Sequence, residues 1–337
     1  MPSPGTSERI VKLGYAFRES KALLSAVELG VFTALATAPL DLHTLRNSIG
    51  IDQRGARDFF DALVALGLLE RNDAGLYSNT PETALYLDRR NPTYIGGELA
   101  FLSAELFGCW NSLTAALRTG KPQSGAGAAG MYPARYADQA ALEIFAGAMT
   151  AGSLAAAKAL AVEFPWQEYK TIVDVGAAEG CLPVQIALAH SHVTGGGFDL
   201  PPLRPLFDNY VRGHSLSDRL QFYPGSFFHD PLPDADVLVM GRVLHNWDLA
   251  TKKMLLNKAY EALSEGGALI ICERLIDDER RLNAAGLLAS LNMLIMTEGG
   301  FDFAGLDCIS WMKESGFRNM RVAPLAGDQS MIVGYRC

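Results

Sequence analysis

Read for the spacing of its apolar positions, the chain changes character near residue 165. Before that point apolar residues recur at helical intervals. Ser20–Ala36 carries Leu23, Leu24, Val27, Leu29, Val31, Phe32 and Leu35, an apolar face at helical spacing. Two shorter helical segments follow, LDLHTLRNSIGI and DQRGARDFFDALVALGLLE, and then RNDAGLYSNT, an Asn-Asp-Ala-Gly turn between apolar pieces. Two short helices and a hairpin turn predict a winged helix. Residues 92–120 and 137–164 predict further helices. Between them lies KPQSGAGAAGMYPARY, residues 121–136, a Gly/Ala/Pro-rich loop of mobile composition.

Beyond residue 165 the pattern becomes TIVDVG, HVTGGGFDL, LQFYPGSF, DVLVMGRV, ALIICERL and MIVGYRC, short β-branched runs with helix-length segments between most of them. That alternation predicts a parallel, doubly wound sheet. The runs at Arg318–Pro324 and Met331–Arg336 are joined only by Leu325–Ser330, which predicts an antiparallel edge. The expected class is α/β: a doubly wound Rossmann-like sheet over 165–337, preceded by a mostly helical winged-helix dimerisation domain over 1–90 and a helical linker over 91–164.

Charge and composition narrow the function. The 337 residues carry a net charge of −8, which opposes nucleic-acid binding. The would-be recognition helix, Gln53–Leu66, offers Arg54 and Arg57 but is otherwise Asp58, Phe59, Phe60, Leu63, Val64 and Leu66. Base-edge readout needs polar and basic side chains. This helix is built for burial, in a structural or dimer-forming role. No apolar run reaches the roughly 18 residues of a bilayer span, and the first residues lack a signal-peptide core. Five scattered cysteines without a CxxC pair suit a reducing cytoplasm and neither a disulfide framework nor a zinc site.

The turn after the first sheet strand, VDVGAAEG, holds the candidate cofactor site. A dinucleotide fingerprint reads G-x-G-x-x-G. Here Ala178 replaces its second glycine, and Glu179 and Asp174 add negative charge that a pyrophosphate would meet. S-adenosylmethionine, with an ammonium, a sulfonium and no phosphate, suits such a turn. Asp199, ending the next strand, is positioned to accept hydrogen bonds from ribose hydroxyls.

Chemistry concentrates at the carboxyl ends of later strands. His245 follows the run Asp236–Met240, Glu273 ends IICE, and Asp302 lies in EGGFDF. A histidine beside carboxylates is held in one tautomer and becomes a better base. His190 and His192 fall at the opposite end of the sheet and read as solvated surface. No His/carboxylate set shows metal spacing, so no metal is expected.

In order and spacing, AVELGVFTAL, FFDALVALGLLE, VDVGAAEG, GFDLPPL, PGSFF, VLHNWD, LSEGGALIICE and EGGFDF…WMKESGF resemble the S-adenosylmethionine-dependent O-methyltransferases of the caffeic-acid and acetylserotonin type, over nearly the whole chain. The resemblance implies a cofactor loop of Asp174, Gly176 and Gly180. It implies a ribose-binding Asp199 with Leu200 beside the adenine, a further cofactor motif at Gly225, Ser226 and Phe227, and a basic Arg242. It makes His245 the catalytic base and Glu273 and Asp302 its flanking acids. It also implies a cytoplasmic homodimer through N-terminal helices, S-adenosylhomocysteine as product and a small-molecule acceptor, in bacterial secondary metabolism. This chain departs from the family at Ala177, Ala178 and Glu179 in the loop, at Ser226 and Asn246 where Asp is usual, and at Asp302 where Glu is usual. Phe107, Trp110, Phe145, Met149, Met293 and Met296 are pocket candidates, with plain core the other reading of each. Carbon or nitrogen methylation, and a winged-helix ligand sensor on DNA, stay open as rivals.

Overall fold

The structure, a computed structural model, describes residues 6–123, 136 and 138–337. Nearly all of the 121–136 loop lies outside them. The chain divides into two compact units, Met1–Gly108 and Cys109–Cys337.

The first unit is helical. α1 runs Glu8–Glu28 and α2 runs Val31–Ala34, parted by Gly30. α3 (Leu42–Ile49) and α4 (Gln53–Ala65) are capped by Asp41 and Asp52, whose carboxylates accept backbone N–H bonds of the first turns. β1 (Leu69–Arg71) and β2 (Tyr77–Asn79) then pair antiparallel around the Asn72–Gly75 turn. This is the winged helix the sequence predicts. In α4, Ala56, Phe60 and Leu63 are buried against Val27, Val31, Phe32 and Leu45, while Arg54 and Arg57 are exposed. α5 (Pro81–Tyr86) and α6 (Gly96–Phe101) follow. The helix expected over 92–120 is broken: after α6 comes a π-helical turn, Leu102–Leu106, then Gly108 and a 3-10 turn, Cys109–Ser112.

The second unit begins with that turn and α7 (Leu113–Thr119), then α8 (Gln139–Glu163). Its sheet has seven strands. β3 (Thr171–Val175), β4 (Thr194–Asp199), β5 (Leu220–Pro224), β6 (Ala235–Gly241) and β7 (Leu263–Glu273) are parallel. β8 (Arg318–Pro324) and β9 (Ser330–Tyr335) are antiparallel, in the spatial order β5-β4-β3-β6-β7-β9-β8. α9 (Cys181–Ala189), α10 (Arg204–Gly213), α11 (Leu249–Ala262), α12 (Ala284–Met296) and α13 (Gly305–Glu314) complete it.

Both faces of the sheet are covered, which is why its central strands read as unbroken apolar runs. Val173, Leu238, Met240, Leu269 and Ile271 pack with Leu255 and Met312 on one side. Ile172, Val237, Val239 and Ile270 pack with Leu160, Phe164 and Ile186 on the other. α8 corrects the reading that no segment could span a bilayer. It has the length and mean hydropathy, 1.4, for a span. Polar Thr150 and Ser153 and several glycines hide this in a run-by-run reading. Its Leu142, Ala146, Ala157 and Leu160 are buried in the protein core.

The strand order reverses its direction of growth at β3, whose neighbours are β4 and β6. The carboxyl end of β3 is therefore the switch point, where ligands of doubly wound sheets bind.

Candidate active site

The turn leaving β3 needs its two glycines. Gly176 and Gly180 have φ of +82° and +85°. A Cβ on Gly176 would lie 2.7 Å from Val243, and one on Gly180 2.5 Å from Phe207. Ala178 also takes a left-handed φ, +47°, without the freedom of glycine. Its N–H donates to Asp199 Oδ2 at 2.9 Å, and the Leu200 N–H donates to Oδ1 at 2.7 Å. The Gly225 N–H donates to the Asp199 carbonyl at 2.9 Å. Asp199 thus ties together the carboxyl ends of β3, β4 and β5. Ser226 donates its backbone N–H to Asp230 at 2.8 Å and accepts from Phe228 N–H at its hydroxyl.

Burial pushes the Asp174 carboxyl up to about 8, with the neighbouring Asp199 adding to the rise. Burial pushes Asp199 up to about 6 against its two amide donors. Two buried acids side by side are costly to ionise, and a cation beside them lowers that cost. The chemistry of this donor set fits the cation-bearing S-adenosylmethionine and opposes a pyrophosphate.

The second group of residues stands where β6 and β7 end. Arg242, at φ +57°, turns the chain sharply out of β6, and its N–H donates to Cys272 O on β7 at 2.9 Å. A 3-10 turn, Leu244–Asn246, presents His245. Glu273, the last residue of β7, accepts the His245 backbone N–H at 3.3 Å. Its other oxygen lies 3.8 Å from the ring Nδ1. Asp302 lies 3.4 Å from the same Nδ1. Asp302 reaches it because the Ile276 N–H donates to Phe303 O, and the Asp302 N–H donates to Ser290 on α12. Both carboxylates are 1% exposed and the imidazole 13%. Burial alone pushes the His245 pKa down; the charges of Glu273 and Asp302 outweigh it, and the pKa stands above its ordinary value. Burial likewise raises Glu273. The three potential ligand atoms lie within 4.8 Å of one another. That compactness is invisible in their sequence spacing.

The other predicted residues fall into separate neighbourhoods. Trp110 donates its indole N–H to Asn292 on α12 at 3.1 Å, and Met293 and Met296 on that helix are buried. Phe145 and Met149 are half-buried on α8. Phe145 packs with Leu203 and Phe207. Phe107 belongs to the first unit, its ring 5.4 Å from Lys21 Nζ. Phe227 stacks edge-on against Trp247 at 5.7 Å. His190 and His192 are not simply solvated: their ring nitrogens bond the carbonyls of Ala161 and Trp166.

Sequence reasoning missed three supports. Asn246 donates to the carbonyls of Arg242 and Val243, which an aspartate could not do, so the amide steadies the turn that carries His245. Glu179 accepts the Thr150 hydroxyl at 2.6 Å and so ties the cofactor turn to α8. Lys252 is fully buried near Glu273 and Asp302. Its place in the first turn of an amphipathic helix gave no such signal.

A doubly wound sheet with acids at its switch point and an imidazole between two carboxylates defines a class of cofactor-dependent transferase. Residues 110–318 match the model of the O-methyltransferase domain, and residues 11–89 that of the O-methyltransferase dimerisation domain. The chain belongs to the S-adenosylmethionine-dependent O-methyltransferase family. It is 42% identical to the tetracenomycin polyketide synthesis 8-O-methyl transferase TcmO of Streptomyces glaucescens, over 96% of this chain and 95% of that protein. It is 36% identical to the N,N-dimethyltransferase OxyT of Streptomyces rimosus, covering 95% and 94%. The crystal structure of human N-acetylserotonin methyltransferase in complex with S-adenosylmethionine superposes with a TM-score of 0.92 at 26% identity, over 100% of this chain and 99% of that one.

Proposed function

We propose that this chain methylates a hydroxyl of an aromatic, apolar small molecule in bacterial secondary metabolism, with His245 as general base. The observation that carries the reading is the His245 ring with Nδ1 against two buried carboxylates. That arrangement favours a hydrogen on Nδ1 and leaves Nε2 as the base nitrogen. Nε2 takes the acceptor's hydroxyl proton, and Glu273 and Asp302 stabilise the imidazolium that results. When bound, S-adenosylmethionine supplies an electrophilic methyl group on its sulfonium. Asp174 and Asp199 hold its charged and ribose parts, and Gly225, Ser226, Phe227, Leu200 and Arg242 complete its surroundings. What the chain must add is alignment of the hydroxyl oxygen with that methyl group.

The name of TcmO, a polyketide-synthesis O-methyl transferase, supports a polyketide hydroxyl as the acceptor class. Pocket candidates in the second unit are Trp110, Phe145, Met149, Met293 and Met296. The dimerisation-domain match and the exposed Ile10, Leu13 and Phe17 of α1 support a homodimer through the N-terminal helices. Five cysteines, all free, support a reducing, cytoplasmic setting.

The test is turnover of a panel of phenolic polyketides with S-adenosylmethionine. His245→Ala is expected to lose about 10²–10⁴-fold in kcat while binding S-adenosylhomocysteine as before. OxyT favours a second reading, methylation of nitrogen. An amine acceptor can attack the methyl group without a base, so turnover of amine acceptors that is unchanged in His245→Ala would replace the first reading by the second.

A further inference from the structure

The ion pairs at His245 leave a deficit. Glu273 Oε2 and both oxygens of Asp302 are buried with no well-formed hydrogen bond among the described residues; the His245 Nδ1 stands 3.4 Å from Asp302 Oδ1. Two such carboxylates beside one neutral imidazole would hold a net double negative charge out of water, a costly state. A compensating cation is close by. Lys252, on the first turn of α11, is 0% exposed. Its Nζ donates to the carbonyl of Trp247, two residues past His245. The same Nζ lies 3.5 Å from the ring centroid of Phe301 and 5.6 Å from that of Phe303, the two residues that flank Asp302.

We propose that Lys252 is a positioning residue of the catalytic cluster: its ammonium ties the loop carrying His245 to the loop carrying Asp302, and its positive charge offsets the negative charge buried beside the ring. The proposal rests on the reading of His245 as a base. An apolar side chain of equal length would fill the same space without the penalty of burying an ammonium, so packing alone gives no reason for a lysine. Burial pushes Lys252 down to about 8, and Glu273, Asp302, Asp248 and Cys308 are the groups that pull it back. Arg242 is the other cation acting on the cluster, through both His245 and Glu273. A charge on Lys252 opposes proton uptake by the cluster as a whole. Its removal therefore raises the pH at which the first proton binds, whichever member receives it.

The experiment is a pH titration of protein saturated with S-adenosylhomocysteine, followed by NMR at the His245 ring and the Glu273 carboxyl, in wild type, Lys252→Met and Lys252→Gln. Thermal melting and calorimetric binding of S-adenosylhomocysteine verify that each variant is folded. The first protonation is expected to move up by about one pH unit or more in both variants, as removal of a neighbouring charge does. If Lys252→Met does not fold, Lys252→Gln, which keeps a donor for the Trp247 carbonyl, decides alone. A folded neutral variant that titrates like wild type overturns the proposal. That result leaves His245 as base untouched, because turnover of His245→Ala tests the base separately.

Discussion

Ala178 holds a left-handed φ of +47° that costs an alanine roughly 1–2 kcal/mol. Ala178→Gly is therefore expected to stabilise the protein by about 1 kcal/mol, read as a higher melting temperature. Asp174 makes a pH-dependent contribution of the opposite kind. Its folded pKa of about 8 stands above its ordinary 3.8. The folded chain then binds more protons than the unfolded chain between those values. Stability is full below about 4 and is lost as pH rises towards 8. Melting scans of the cofactor-free protein from pH 5 to 8 should show this loss, and Asp174→Asn should flatten it. Single positions were legible in proportion to how local their signal is. Gly176, Gly180 and Asp199 announce themselves by type and place at strand ends. Asn246 acts on carbonyls three and four residues back, a bond its type does not announce, and Lys252 lies near charges that only folding brings to it.

Among elements, the strands were the most legible, because burial on both faces of the sheet leaves continuous β-branched runs. The break between α6 and α7 was not, since Leu102–Leu106 keeps an apolar composition through its π-turn. Nor was the attachment of α8 to the cofactor turn. That attachment combines the packing of Ala177 with Leu142 and Ala146 and a bond from Thr150 Oγ1 to Glu179, a carboxylate whose pKa burial raises. Thr150→Val removes the donor and keeps the shape. It is expected to cost about 1 kcal/mol, the net worth of a hydrogen bond whose half-buried acceptor water can still reach. It should also weaken S-adenosylmethionine binding in calorimetry, because the turn loses an anchor on α8. Unchanged affinity would show that the turn holds its shape without this bond.

For the molecule as a whole, the first unit carries its apolar surface outward on α1, where Ile10 is 76% and Leu13 75% exposed. A double substitution to glutamate, Ile10→Glu with Leu13→Glu, is expected to convert a dimer to monomers in light scattering without lowering the melting temperature of the sheet unit. A chain still dimeric after that change would place the interface elsewhere. The doubly wound sheet could be read from periodicity alone, since the period reports which faces are buried. The set of His245, Glu273 and Asp302 could be listed from strand ends, but its closeness could not, because it depends on a parallel bridge between Ile276 and Ala304 far apart in the chain. The position of the final strand has a consequence for how the protein is made. β9 lies between β7 and β8 but follows both in the chain. On the ribosome the growing sheet therefore waits with the edge of β7 unpaired, and a message truncated before Ser330 yields a chain whose open edge invites pairing with another such chain.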